Sequence, residues 1–76
     1  MTFAQVFFKY YDRAIGNGVC SFSQTGIRAN DFITICTDPS FVLDRESVMR
    51  ASKAMKLREE EIKELLVFVE EAERDA

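Results

Sequence analysis

The sequence has no histidine and no tryptophan, a single proline (Pro39), two cysteines (Cys20 and Cys36) and three glycines (Gly16, Gly18 and Gly26) in 76 residues. Each shortage removes a class of function. Without histidine, no side chain has an ordinary pKa near neutrality, so the usual general base is missing. Paired carboxylates occur, but Glu59, Glu60 and Glu61 fall in a solvent-facing run where nothing apolar would raise a pKa. The cysteines form no CxxC pair and have no histidine to complete a zinc site with them. They read as two small buried thiols of a reducing compartment rather than as a disulfide. None of the glycines precedes a helix through a Lys-Ser or Lys-Thr step, so no phosphate loop is present. No enzyme, metal or cofactor is therefore expected. The chain also lacks an apolar run of about 18 residues, and Met1-Thr2-Phe3-Ala4-Gln5 lacks the basic start of a secretion signal. Neither a membrane span nor export is expected, and the expected location is the cytoplasm.

What the chain does hold is the balance of a folded protein, with 47% apolar and 30% charged residues. One small domain over 1–76 is expected, near the lower size limit for a self-sufficient core. Five of the nine aromatic residues fall in the first eleven positions, so a few large rings can supply much of that core. Charge is segregated: residues 1–58 hold eight Lys/Arg against five Asp/Glu, and residues 59–76 hold two against eight. A mildly basic body with an acidic terminal helix is compatible with nucleic acid on one face only.

Along the chain, Thr2 and Gln5 form a capping-box pattern, and Phe3, Val6, Phe7, Tyr10 and Ala14 recur at helical spacing. This predicts a helix over about 2–15, closed by Gly16, with Phe8, Tyr11 and Ile15 as a second apolar stripe. Residues 19–37 read two ways. In the first, a short helix with Val19 and Phe22 inward is broken by Gly26 and followed by a second, capped by Asn30, burying some of Phe32, Ile33, Ile35 and Cys36. In the second, the β-formers Phe, Ile, Thr and Cys make a hairpin, giving an α+β fold. The helical reading leads. Asp38-Pro39-Ser40 ends that region. Asp44 then caps a helix to about Lys56, with Leu43 and Val48 as a hydrophobic staple and Val48, Ala51, Ser52 and Met55 on one face. An acidic helix follows over 58–74, with Ile62, Leu65, Leu66, Val69 and Ala72 on its apolar face. Val67 and Phe68 lie off that face, so they are either covered by the first helix or form a dimer interface.

The order of elements resembles the Cro/repressor-type (Xre-like) helix-turn-helix domain over about residues 3–69. The stretch that carries the likeness is Asp44-Arg45-Glu46-Ser47-Val48 through Ala51, Ala54-Met55-Lys56-Leu57 and Glu59-Glu60-Glu61-Ile62 to Leu65-Leu66, similar to the family's fourth helix, junction and fifth helix. Phe22-Ser23, Gly26-Ile27-Arg28, Phe32 and Ile35 are similar to the positions around its turn and recognition helix. The resemblance implies a compact all-α five-helix fold and a dimeric, DNA-binding transcription regulator of bacterial or mobile-element type. It implies a recognition helix starting near Ala29, with Asn30 and Thr34 toward base edges, Arg28 on a guanine or phosphate, and Gln24, Thr25 and Arg45 along double-stranded DNA. The departures are a Thr37-Asp38-Pro39 run after the recognition helix and a single cation, Arg28, between Ala14 and Asp44. They motivate a second expectation, a protein-binding module or phage-type inhibitor on the same scaffold, because phosphate contacts supply much of the affinity for DNA.

Overall fold

The computed structural model describes residues 1–75, and among these every regular element is helical. Four α-helices, α1 (Phe3–Gly16), α2 (Ala29–Thr37), α3 (Arg45–Ala54) and α4 (Glu59–Asp75), are joined by loops, the first of which contains one 3-10 turn, Phe22–Thr25. The helical reading of 19–37 therefore holds and the hairpin does not form. Five α-helices are not reached, because the second shrinks to that single turn: Ser21 and Gly26 bound four residues, too few for the i to i+4 ladder. The radius of gyration, 11.5 Å, matches the roughly 11.4 Å of a compact chain of this length. Among the described residues no helix is long and apolar enough to cross a membrane.

The ends of α1 and the start of α3 follow the expected chemistry with one displacement. Thr2 and Gln5 exchange both capping-box bonds, the Thr2 hydroxyl accepting from the Gln5 N–H at 3.2 Å and the Gln5 carbonyl from the Thr2 N–H at 3.0 Å. Gly16 does not close α1. It remains helical, Asn17 is the C-cap, and Gly18 carries the positive φ of 69°, because the Gly18 and Val19 N–H groups return to the Ile15 and Ala14 carbonyls. Asp44 caps α3 through the Ser47 N–H, and Leu43 and Val48 are both buried as the staple requires.

Helix α4 runs antiparallel to both α1 and α3. On one side Phe3 meets Phe68 edge-on at 6.2 Å, Lys9 reaches Glu64 at 3.5 Å and Arg13 grips Glu61 at 2.8 Å. On the other, Arg45 at the start of α3 binds Glu73 near the end of α4 at 2.9 Å. The core between them is Phe3, Phe7, Tyr10, Ile35, Leu43, Val48, Leu65 and Val69. An aromatic chain extends it: Phe32 of α2 receives Phe8 at 5.6 Å, Tyr11 at 5.3 Å and Phe22 at 5.0 Å, tying the 3-10 turn and α2 to α1. Such pairs each contribute about 0.5–1.5 kcal/mol beyond burial.

Several expected core positions prove to be surface. Val19 is exposed and Cys20 takes its place, because the loop after Gly18 turns the next residue inward. Ile15 lies at the exposed end of its stripe, and Ala72 is exposed at the edge of a surface hollow lined by Phe3, Val42 and Phe68. Phe68 is half-buried on α1, whereas Val67 remains 51% exposed.

Candidate binding surface

The 3-10 turn, Gly26 and α2 place the residues expected to read DNA. The Ser21 N–H donates to the Gln24 side-chain carbonyl at 2.8 Å, so Gln24 is exposed but half committed to capping. Thr25 departs from its expected role. Its side chain is fully buried, donating to the Phe22 carbonyl at 2.6 Å and accepting from the Ile27 N–H at 3.3 Å, and it braces the turn instead of facing solvent. Gly26 adopts φ 73°, and a Cβ there would sit 2.5 Å from Cδ of Arg50, whose guanidinium donates to the Gly26 carbonyl at 3.2 Å. The turn is thus clamped from α3.

Beyond it, Arg28 rather than Asn30 is the N-cap residue of α2, and its side chain makes no capping bond. Asn30 lies in the first helical turn with an exposed side chain. Thr34 is half-buried and spends its hydroxyl on the Asn30 carbonyl at 2.8 Å, as Thr37 does on the Ile33 carbonyl at 3.0 Å. Ile33 and Cys36 turn outward, so of the four residues offered for burial Phe32 and Ile35 face in, and Cys36 departs from the buried thiol expected of it. Phe32 and Ile35 already fill the inward face, and a nine-residue helix with one buried side leaves the i+1 positions to water. The exposed edge of α2 is therefore Ala29, Asn30, Ile33, Cys36 and Thr37, all uncharged, with Ile33 58% exposed. Sequence periodicity could have found this edge only with the inward face fixed, and Phe32, Ile33, Ile35 and Cys36 offered two choices.

The cations around the edge are matched by carboxylates. Arg28 pairs with Asp31 at 3.3 Å and Arg50 with Glu46 at 3.1 Å. Arg45 forks onto Glu73, and that contact holds the Glu73 carboxyl below its usual range. A hollow beside the turn is lined by Arg28 and Arg50 but also by Asp31, Asp44 and Glu46, a formal charge of −1 from two cations and three anions. The Ser47 hydroxyl, first among several contacts, lowers the Asp44 pKa, so that carboxylate is firmly ionised. No protein-family model matches the chain, and no curated protein or solved structure is significantly similar to it. Among the described residues no cluster of three metal-ligating side chains forms, and both cysteines are free, Cys20 buried and Cys36 exposed.

Proposed function

We propose that the chain is a non-catalytic binding protein on a helix-turn-helix-like scaffold, working in a reducing compartment, and that the uncharged edge of α2 receives a protein partner. The observation that carries this reading is the charge of the hollow beside the turn: three carboxylates face two cations where a phosphate would have to sit. Phosphate contacts dominate affinity for DNA, and a net negative surface opposes them. The neighbouring edge offers Ile33 and Cys36 with Asn30 and Thr37, an apolar strip rimmed by neutral hydrogen-bonding groups, which is the make-up of a small protein interface. The test is affinity capture from cells that express the protein, comparing wild type with Ile33→Glu and Arg28→Ala. A partner retained by wild type and Arg28→Ala but lost by Ile33→Glu, whose melting temperature should be unchanged, is the expected result. A partner indifferent to Ile33→Glu sinks the assignment of this edge.

A second reading, contact with double-stranded DNA by a transcription regulator, is favoured by one feature. The Arg28 side chain is 83% exposed at the start of α2, and its ion pair with Asp31 is of the exposed kind worth under about 1 kcal/mol, so a phosphate could displace it. Gln24, Asn30, Thr34 and Arg45 would then share the contact.

A further inference from the structure

Among the described residues, six of the ten Lys and Arg side chains are paired with a carboxylate: Lys9, Arg13, Arg28, Arg45, Arg50 and Lys63. The other four are not distributed at random. Lys53 lies in the last turn of α3, and Lys56 and Arg58 in the junction between α3 and α4, where the chain reverses through Lys56 at φ 54°. Beside them lies a groove of about 520 Å³, the size of a ligand pocket, with Met49, Leu57 and Ile62 as its apolar lining and Lys53 and Lys56 among its walls. Ser52 adjoins it, fully buried with its Oγ hydrogen-bonded to nothing among the described residues. In a chain of net charge −3, this is a local concentration of unpaired positive charge around an apolar hollow.

The complementary surface is present on the same chain. Along the outer side of α4, Glu60, Val67 and Glu71 recur at i, i+7 and i+11 and so share one line of the helix, with Glu70 adjacent. All four are exposed, and none of the three glutamates has an ion-pair partner among the described residues. Val67 is the exposed apolar side chain of that line. Glu61, Glu64 and Glu73, by contrast, are consumed by α1 and α3.

We infer that the groove at the α3–α4 junction is a self-docking site that takes α4 of a second copy of this chain, Val67 entering the hollow and the flanking glutamates meeting Lys53 and Lys56. This moves the self-association surface expected from sequence. Phe68 is half-buried against Phe3 on the α1 side, so Val67 alone of the pair is the donor, and the acceptor is a basic groove rather than a like helix.

Sedimentation velocity across a concentration series up to about 1 mM, where weak contacts become populated, tests this. The wild type should associate, and added salt should weaken it because exposed charges are screened over about 10 Å at 0.1 M. Lys53→Glu/Lys56→Glu and Glu70→Lys/Glu71→Lys should each sediment as folded monomers, and an equimolar mixture of the two should associate again. Val67→Ser, which alters no charge, should also weaken association. A wild type that is monomeric throughout overturns the inference and leaves the groove to an acidic helix of another protein. So does association that both charge reversals leave unchanged.

Discussion

A residue's worth in this fold depends on which backbone region it must occupy and what it meets there, and the glycines separate cleanly on that basis. Gly26 is held at φ 73° with Arg50 packed where a Cβ would go, so Gly26→Ala must adopt left-handed backbone and displace the clamp. The expected cost is at least the roughly 1–2 kcal/mol of a left-handed L-residue. Gly16 is helical with nothing within 4 Å of a Cβ, so Gly16→Ala should stabilise by about 0.5–1 kcal/mol. Since 1 kcal/mol moves the melting temperature of a domain this size by about 4–8 °C, two thermal melts check both signs. Equal shifts in one direction would show that the turn is not clamped. In the core, Phe7 and Leu65 are each 1% exposed, and truncation to Ala should cost about 2–5 kcal/mol. That is a large share of the stability of a chain this small, and chemical denaturation of either variant should show it.

At the scale of elements, the contact of α1 with α4 is titratable. Arg13 donates to both oxygens of Glu61 at 2.8 and 3.0 Å and, with the Arg58 N–H, holds that carboxyl at about 2 against an ordinary 4.5. A pKa lowered on folding stabilises the fold above the unfolded value and loses that contribution as pH falls toward the folded one. Glu64, bonded first by the Tyr10 hydroxyl, and Glu73, bonded by Arg45, are shifted the same way. The melting temperature should therefore fall as pH drops from about 4.5 toward 2, and Glu61→Gln should start lower at neutral pH and fall less steeply. A pH-independent melt of the wild type would show that these pairs add nothing. The elements themselves were legible where periodicity had company: α1 carried a capping box, α3 an Asp cap and a staple, and α4 an acidic first turn. Between Val19 and Thr37 the sequence offered apolar residues at both strand and helix spacing. Long-range packing of Phe32 on Phe8 and Tyr11 of α1, with Phe22 against Phe32, chose helix, and no local pattern encodes those contacts.

For the whole molecule, the segregation of charge read from sequence translates into structure as two zippers that pair three of the acidic helix's carboxylates with the basic body, through Arg13 and Lys9 on one side of α4 and Arg45 on the other. Of the residues nominated for DNA contact, Gln24, Arg28 and Asn30 lie exposed, Thr34 is half-buried with its hydroxyl on the Asn30 carbonyl, and Arg45 is held by Glu73. Thr25 was misplaced because a hydroxyl carries no sign of whether the turn needs it inside. Asp31 beside Arg28 and Glu46 beside Arg50 were legible from their i,i+3 and i,i+4 spacing, but the hollow they share with Asp44 was not, because it depends on the tertiary position of α3. That hollow is what turns the reading toward a protein partner, so binding to random duplex DNA as a function of salt tests the claim most directly. We expect no salt-sensitive binding at low or moderate salt, and no difference between the wild type and Arg28→Ala. Binding whose logarithm falls linearly with that of salt, with a slope reduced by about one in Arg28→Ala, would contradict the account and make the α2 edge a DNA-reading surface.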